Sequence, residues 1–273
     1  MSALASRLAI AVAGLPIVLG AAWVGGWWLL ALVAVGTILA LHELYAATRE
    51  LRPLALAGFG GALTVLLGTQ FGGLEWIALG LLVTLLAAFC FAALADTSQS
   101  NTVSVATTTL SVVWIAVGLV HLTLIRADAV DAQSVDRGRL AIFTVLIAVF
   151  ATDTAAYLVG RVAGRRRLAP RVSPGKTVEG FVAGALAGIF VTWVAMYDEG
   201  YLEIWESLVL GAVIVAAATL GDLLESLVKR DLGVKDMGTL LAGHGGVLDR
   251  VDSLLLAGPA AYYTLLALGA VAP

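Results

Sequence analysis

Residues Leu74 to Ala95 read LEWIALGLLVTLLAAFCFAALA, 22 positions with a single charged side chain, Glu75. A helix of about 20 apolar residues spans the hydrocarbon core of a bilayer. Eight further runs have a similar character: Leu8 to Val24, Trp27 to Ala46, Leu54 to Gln70, Val103 to Ile125, Leu140 to Gly160, Val178 to Tyr197, Trp205 to Val228 and Val251 to Ala270. The sequence therefore predicts an all-α, polytopic integral membrane helix bundle with about nine transmembrane helices.

The composition supports the same fold class. Hydrophobic residues make up 60% of the chain and charged residues 13%, with a mean hydropathy of +0.99, whereas soluble domains have about 25% charged residues. The single cysteine, Cys90, excludes an internal disulfide. The net charge of -3 gives no sign of nucleic-acid binding. The first run also resembles the apolar part of a signal peptide, but its length favours a retained helix.

The basic residues predict an orientation, because short cytoplasmic loops are enriched in Lys and Arg. With the N-terminus in the cytoplasm, thirteen of the 16 basic residues lie inside, and Arg126, Arg137 and Arg139 lie outside. The C-terminus is then outside. This topology places the loop 161–177 and the loop 229–249 on the same cytoplasmic side.

Four carboxylates form two pairs with a spacing of three residues: Asp222 with Glu225, and Asp249 with Asp252. Each pair shares a helix face, and Ser226 lies on the same face as Asp222. Charged groups at membrane depth are candidates for functional sites. Oxygen ligands without paired Cys or His suit a hard cation such as Mg²⁺.

The residues between the two pairs favour a phosphate ligand. Lys229, Arg230 and Lys235 can complement a polyphosphate, and Gly245-Gly246 allows a close backbone approach to a ligand. In the alternative interpretation, Arg230 and Arg250 simply neutralise the carboxylates as ion pairs. That interpretation leaves the two glycines unexplained.

The loop 161–177 contains a basic cluster, Arg165 to Arg167, followed by Ser173-Pro-Gly-Lys-Thr177. The arginines are equally explained by contacts with anionic lipid headgroups. Lys176 and the backbone that precedes the next helix can face a phosphate. A Walker A loop is rejected, because Pro170 takes the first-glycine position and no strand is predicted before it.

Two further carboxylates lie in predicted spans. Asp153 should face the protein interior or a wet cavity, as a site residue or as a structural partner of an arginine. Glu43 lies at the end of the second span, where a solvated or snorkelling role is favoured over ligand binding.

One long motif resembles a known family. Ser226-x-Val-Lys-Arg-x4-Lys235-Asp236-x-Gly238-x2-Leu-Ala-x-His244-Gly-Gly-Val-x-Asp249-Arg-Val-Asp252 is similar to the signature of phosphatidate cytidylyltransferases, also called CDP-diacylglycerol synthases. Ala242 departs from the Pro or Gly of that pattern, and Thr154-Ala155 replaces its usual Ser-Gly after Asp153. The resemblance includes Gly221-Asp222-Leu223 and Ser173 to Gly180, so it covers residues 139–273 of a predicted single membrane domain, 1–273. Residues 1–138 resemble the family only as apolar helices.

The resemblance implies a reaction in phospholipid biosynthesis, in which CTP and phosphatidate give CDP-diacylglycerol and pyrophosphate. It implies a divalent cation, Mg²⁺ or Mn²⁺, held by Asp222 and Asp249. We add Asp153, Glu225 and Asp252 as secondary candidates for metal binding. A second, monovalent cation and a homodimer are left open. We assign catalytic roles to Asp222, Asp249, Lys229, Arg230 and Asp252. The substrate-binding candidates are Ser173, Lys176, Thr177, Ser226, Lys235, Asp236, His244, Gly245, Gly246 and Arg250.

Two other functions remain open from the sequence. A CTP-dependent polyprenol or phytol kinase would transfer the γ-phosphate to a lipid alcohol and release CDP. A membrane ion or phosphate transporter would also use carboxylates at membrane depth. The favoured function predicts an integral protein of the cell inner (plasma) membrane, with its active site facing the cytoplasm and with CTP, phosphatidate and membrane lipids as partners.

Overall fold

A computed structural model describes residues 3–94, 101–127, 132–198, 202–240 and 245–271. The first helices in chain order are α1 (Ala3–Val24), α2 (Gly26–Ala47), α3 (Ala55–Gly72), α4 (Glu75–Leu94), α5 (Asn101–Ser111) and α6 (Val117–Ala127). They are followed by α7 (Ala132–Ala163), α8 (Val178–Asp198), α9 (Ile204–Asp231) and α10 (Leu248–Ala267). Two short strands, β1 (Arg167–Ala169) and β2 (Ser173–Thr177), lie between α7 and α8. The described chain is therefore almost entirely helical.

Seven of the described helical segments are long and apolar enough to cross a membrane: Gly26–Ala47, Ala55–Gly72, Glu75–Leu94, Asn101–Ala127, Asp136–Ala163, Val178–Tyr197 and Ile204–Asp231. Each of them matches one predicted apolar run, which confirms an all-α polytopic membrane protein. The helices α1 and α10 match the first and ninth runs. A total of nine spans and the orientation of the termini stay predictions.

Two compact units divide the chain. Unit 1 comprises Met1–Leu124 and Leu232–Val251, and unit 2 comprises Ile125–Asp231 and Asp252–Pro273. Each unit therefore combines a long segment with a shorter, later one, and the residues of the long motif are divided between them. The prediction of one membrane domain over the whole chain stays a prediction.

In unit 1, α3 packs closely on its neighbour α4. Gly61 lies against Thr84, and Gly80 of α4 lies against Val65, so that a Cβ atom at either glycine would overlap the facing helix. Small residues at such contacts let two membrane helices approach each other. A π-helical segment, Val112–Ala116, connects α5 to α6 and buries Ile115 in the unit.

In unit 2, α7 and α8 form the most extensive helix pair of the protein. Gly180, Gly184 and Gly188 recur every four residues along α8, so they share one face. That face lies against Thr152 and Ala156 of α7, and an added Cβ at any of the three glycines would come too close to α7. This small-residue stripe brings the two helices together beside the candidate site.

The strands β1 and β2 form an antiparallel hairpin, in which Arg167 pairs with Thr177 and Ala169 pairs with Ser173. The prediction that no strand precedes the Ser173–Thr177 segment was wrong. The strand β1 has only three residues, which is too few to show a recognisable alternation of polar and apolar side chains. The rejection of a Walker A loop is unaffected, since Ser173–Thr177 is itself a strand that leads directly into α8. The hairpin fixes Lys176 on a rigid element.

Candidate active site

A pocket of about 660 Å³ lies in unit 2 between the hairpin and helices α7, α8 and α9. This volume is within the usual range for small-molecule sites. Its charged lining combines two carboxylates with three cationic side chains: Asp153, Asp222, Arg161, Arg167 and Lys176. Ser173, Thr177 and Thr219 add hydroxyl groups. The pocket therefore brings together residues that the sequence assigned to two separate motifs.

Lys176 and Asp222 form the central ion pair of this pocket. The Nζ atom of Lys176 lies 2.5 Å from Oδ2 of Asp222, and both side chains are about a quarter exposed, at 26% and 29%. The hydroxyl of Ser226 donates a hydrogen bond of 3.3 Å to Oδ1 of Asp222. The predicted shared face of Asp222 and Ser226 is thus confirmed, and Asp222 keeps access to solvent.

Three more carboxyl groups lie near Asp222 in unit 2. Asp222 and Asp252 both interact electrostatically with Asp153, and Asp252 also faces Glu225. Glu225 is fully buried and forms an ion pair with Lys229. These contacts place four acidic residues of α7, α9 and α10 in one electrostatic cluster.

The cations that balance this cluster are lysines. Lys176 pairs with Asp222, and Lys229 pairs with Glu225. Arg230, which one interpretation treated as an ion-pair partner, instead donates its Nε–H to the carbonyl of Val172 at 3.2 Å. Arg230 therefore ties α9 to the turn of the hairpin.

The donor chemistry of the cluster suits a hard divalent cation. Carboxylate oxygens are the ligands that Mg²⁺ prefers, and four acidic groups, Asp153, Asp222, Glu225 and Asp252, face two ammonium groups, Lys176 and Lys229. Arg161 and Arg167 add two positive charges to the lining of the same pocket. Within the described residues, no three Asp, Glu, His or Cys side chains are already arranged as a metal site. The carboxylate donors therefore fit a cation, while Lys176 would have to move from Asp222 to admit one.

The N-terminus of α8 is fixed by polar contacts of its own. The Thr177 hydroxyl accepts a hydrogen bond from the Gly180 N–H at 3.1 Å, the usual role of an N-cap residue. The Glu179 carboxylate accepts hydrogen bonds from the backbone N–H groups of Arg165 and Arg166, at 3.0 and 3.2 Å. Thr177 thus caps a helix as well as lining the pocket, and the basic loop is anchored to α8 through its backbone.

The remaining predicted substrate-binding residues belong to unit 1. Lys235, Asp236 and Arg250 are exposed there. His244 lies outside the described residues. Their predicted contacts with substrate stay predictions.

Asp249 occupies the first turn of α10 and holds the loop before it. Its carboxylate accepts hydrogen bonds from the Met237 N–H at 3.0 Å and from the Gly246 N–H at 2.7 Å. A negative side chain at this position also interacts favourably with the helix dipole. Each carboxylate oxygen has further lone pairs, so the predicted ligation of a metal by Asp249 stays a prediction. Its observed contacts are with the backbone.

Glu43 was misjudged from the sequence. The side chain is only 3% exposed, and its two oxygens accept hydrogen bonds from the Val247 and Leu248 N–H groups, each at 2.9 Å. The prediction of a solvated residue at a helix end was therefore wrong. Its position at the end of an apolar run carried no signal for a partner more than 200 residues away.

The apolar helices define a polytopic membrane protein, and unit 2 contains a pocket lined by charged side chains. The model of the Cytidylyltransferase family matches residues 5–268. The chain belongs to this family.

Several curated relatives are called phosphatidate cytidylyltransferase. The protein of Mycobacterium tuberculosis (strain H37Rv) is 35% identical over 250 residues, which are 86% of this chain and 74% of that protein. The protein of Staphylococcus epidermidis (strain RP62A) is 40% identical over 151 residues, 55% of each chain. That of Mycobacterium leprae is 46% identical over 114 residues, 42% of this chain and 36% of that protein. The staphylococcal alignment thus spans about half the length of the relative.

Proposed function

We propose that this chain transfers a cytidylyl group from CTP to phosphatidate, forming CDP-diacylglycerol and pyrophosphate for phospholipid biosynthesis. The observation that carries the proposal is the pocket of unit 2, where Lys176, Arg161 and Arg167 line the same space as Asp153 and Asp222. Such a combination suits a phosphate-bearing substrate together with a cation. The family membership and the names of the relatives support the choice of CTP and phosphatidate.

The chemistry requires positioning more than proton transfer. A phosphate oxygen of phosphatidate is already ionised at neutral pH and attacks the α-phosphorus of CTP. A new P–O bond forms to the lipid phosphate, and the bond from the α-phosphorus to the bridging oxygen breaks, so pyrophosphate leaves with the electron pair. No strong general base is needed, and catalysis rests on orientation and charge neutralisation.

The charged residues of the pocket have matching roles in this reaction. Lys176 on β2 and Arg167 on β1 would orient phosphate oxygens, because charge-assisted hydrogen bonds are the strongest available there. Asp222, Asp252 and Asp153 would hold a divalent cation, Mg²⁺ or Mn²⁺, which supplies neutralisation of phosphate charge when bound. Glu225 and Lys229 would keep that carboxylate set oriented through their buried ion pair.

A membrane location follows from the lipid substrate. The acyl chains of phosphatidate would remain in the hydrocarbon while its phosphate meets CTP in the pocket. The bacterial relatives favour the plasma membrane, and the distribution of basic residues favours a site that faces the cytoplasm.

The test is an assay of detergent-purified protein with labelled CTP, phosphatidate and Mg²⁺. Cytidine-bearing lipid in the organic phase together with released pyrophosphate supports the proposal. Release of CDP with phosphorylation of a polyprenol would instead identify a kinase. Ion or phosphate uptake by reconstituted vesicles without CTP, in the absence of any transfer, would identify a transporter.

A further inference from the structure

Glu43 occupies an unusual position at the N-terminus of α10. The first N–H groups of a helix have no partner within the helix, and together with the helix dipole they form a ready binding site for an anion. Here the anion is the chain's own carboxylate, because Oε1 of Glu43 accepts from Val247 and Oε2 accepts from Leu248. This N-terminus is therefore occupied by an internal carboxylate from α2.

The burial of Glu43 makes the arrangement specific. Removing an ionised carboxylate from water is costly unless its oxygens are hydrogen-bonded. Glu43 meets this requirement through two backbone amides that are correctly placed only when the 245–248 segment has its observed conformation. The carboxylate and the loop conformation therefore depend on each other.

The glycines around Glu43 show how closely the loop fits it. A Cβ atom added at Gly238 or at Gly246 would overlap the Glu43 carboxylate. Gly245 has a φ of +81° and lies against Asp249, so a side chain there would be both strained and crowded. Glu43 and Asp249 together thus bind three consecutive backbone amides, those of Gly246, Val247 and Leu248, and the amide of Met237.

We infer that Glu43 is a positioning residue for the motif loop. It fixes the entry to α10 and thereby the rotation of the first helical turn, from which the Asp249 side chain extends. A displaced turn would misplace Asp249 and the Gly245-Gly246 backbone, and misplacement of about 1 Å strongly reduces rate. Only the expected effect of Glu43 on activity rests on the proposed cytidylyl transfer.

The experiment compares Glu43→Gln and Glu43→Ala with a matched control, Glu50→Gln. Glu50 is an exposed carboxylate of the same unit, seven residues further along. We expect both Glu43 variants to lower kcat at least tenfold, with KM for CTP and phosphatidate changed less than threefold. The control should keep wild-type values. This split separates misplacement of reacting groups from a simple loss of folded protein, which would leave the kcat of the folded fraction unchanged.

Hydrogen exchange supplies a readout that needs no activity. In a peptide covering residues 245–250, Glu43→Ala should accelerate exchange of the Val247 and Leu248 amides at least tenfold, whereas Glu50→Gln should leave their exchange unchanged. If Glu43→Ala does not yield a monodisperse protein, Gly246→Ala disturbs the same contact from the loop side and should give the same fall in kcat.

The outcomes are distinguishable. An inactive wild-type protein would refute the proposed function, while the exchange measurement would still test the contact. An active wild-type protein, with Glu43→Gln and Gly246→Ala both within twofold in kcat, would overturn the positioning role. Unchanged exchange of the 245–250 peptide in Glu43→Ala would overturn the contact itself.

Discussion

Two sets of carboxylates, one in each unit, are stabilised in different ways. In unit 1, Glu43 and Asp249 are held by backbone N–H groups, whose positions are set by the fold. In unit 2, Asp222 and Glu225 are held by the ammonium groups of Lys176 and Lys229 at the ends of flexible side chains. A backbone amide cannot be withdrawn without unfolding the segment, whereas a lysine can rotate away.

The contrast concerns how easily a carboxylate can exchange its present partner for another ligand. Asp222 of unit 2 can exchange Lys176 for a metal ion through movement of one partly exposed side chain. The carboxylates of unit 1 can do so only if the loop 245–248 rearranges. Under the proposed function, we expect the lysine-paired carboxylates of unit 2 to exchange ligands and Glu43 with Asp249 to set the geometry of the motif loop.

Asp222→Asn should have the largest effect. The substitution removes the charge that Lys176 and a divalent cation would share, and we expect transfer activity to fall about 100-fold or more, roughly 3 kcal/mol in barrier. The thermal midpoint should change little, because Lys176 is partly solvated. Asp136→Asn is the matched control, since Asp136 is an exposed ion-pair residue of the same unit. Activity of Asp222→Asn within threefold of wild type would exclude Asp222 from the site.

Glu43→Ala should instead lower stability. Loss of the carboxylate leaves two largely buried amides without partners, at about 1–3 kcal/mol each, so we expect destabilisation of about 2 kcal/mol or more. The thermal midpoint in detergent should fall by several degrees. Asp153→Asn removes one carboxylate from the acidic cluster of unit 2, which also contains Asp222, Glu225 and Asp252. This variant should leave the thermal midpoint near the wild-type value. Equal shifts for the two variants would remove the distinction between the clusters.

Lys176→Met should weaken substrate binding. Removal of one charge-assisted contact to phosphate costs about 1.5–3 kcal/mol, so we expect KM for CTP or phosphatidate to rise about tenfold. The Mg²⁺ concentration for half-maximal activity should fall, because Lys176 no longer competes for Asp222. A higher Mg²⁺ requirement would show that Lys176 supports the cation site rather than competing with it.

The smallest expected difference concerns two glycines. Gly246→Ala crowds the Glu43 carboxylate, and such overpacking costs about 1–3 kcal/mol. Gly60→Ala, in α3 of the same unit, meets open space and should be neutral in both stability and activity. The pair can be compared by thermal unfolding in the same detergent.

Much of the fold was predictable because membrane helices require long apolar segments. Each of the seven described spans matches a predicted run, and the spacing of Asp222 and Ser226 correctly predicted their contact. These features depend on the helical period and on the apolar bilayer, and both act on the residues of a single segment. The bundle therefore followed from the residues within each segment.

The partners of the charged residues were less predictable. The alternative interpretation of the sequence took Arg230 and Arg250 as the counter-ions, whereas Lys176 of the hairpin forms an ion pair with Asp222. Glu43 was assigned to solvent, although its partners are backbone amides near the start of the last helix. Both contacts depend on tertiary placement, and backbone donors have no residue type by which a sequence could reveal them.

The link between Glu43 and Leu248 joins residues 205 positions apart. During synthesis, α2 is complete long before the Val247 and Leu248 amides that bind its carboxylate exist. Closure of the motif loop is therefore a late step of biogenesis, since contacts of long sequence separation form only after the intervening chain is available. A chain that ends before residue 245 would lack both amides that bind the Glu43 carboxylate.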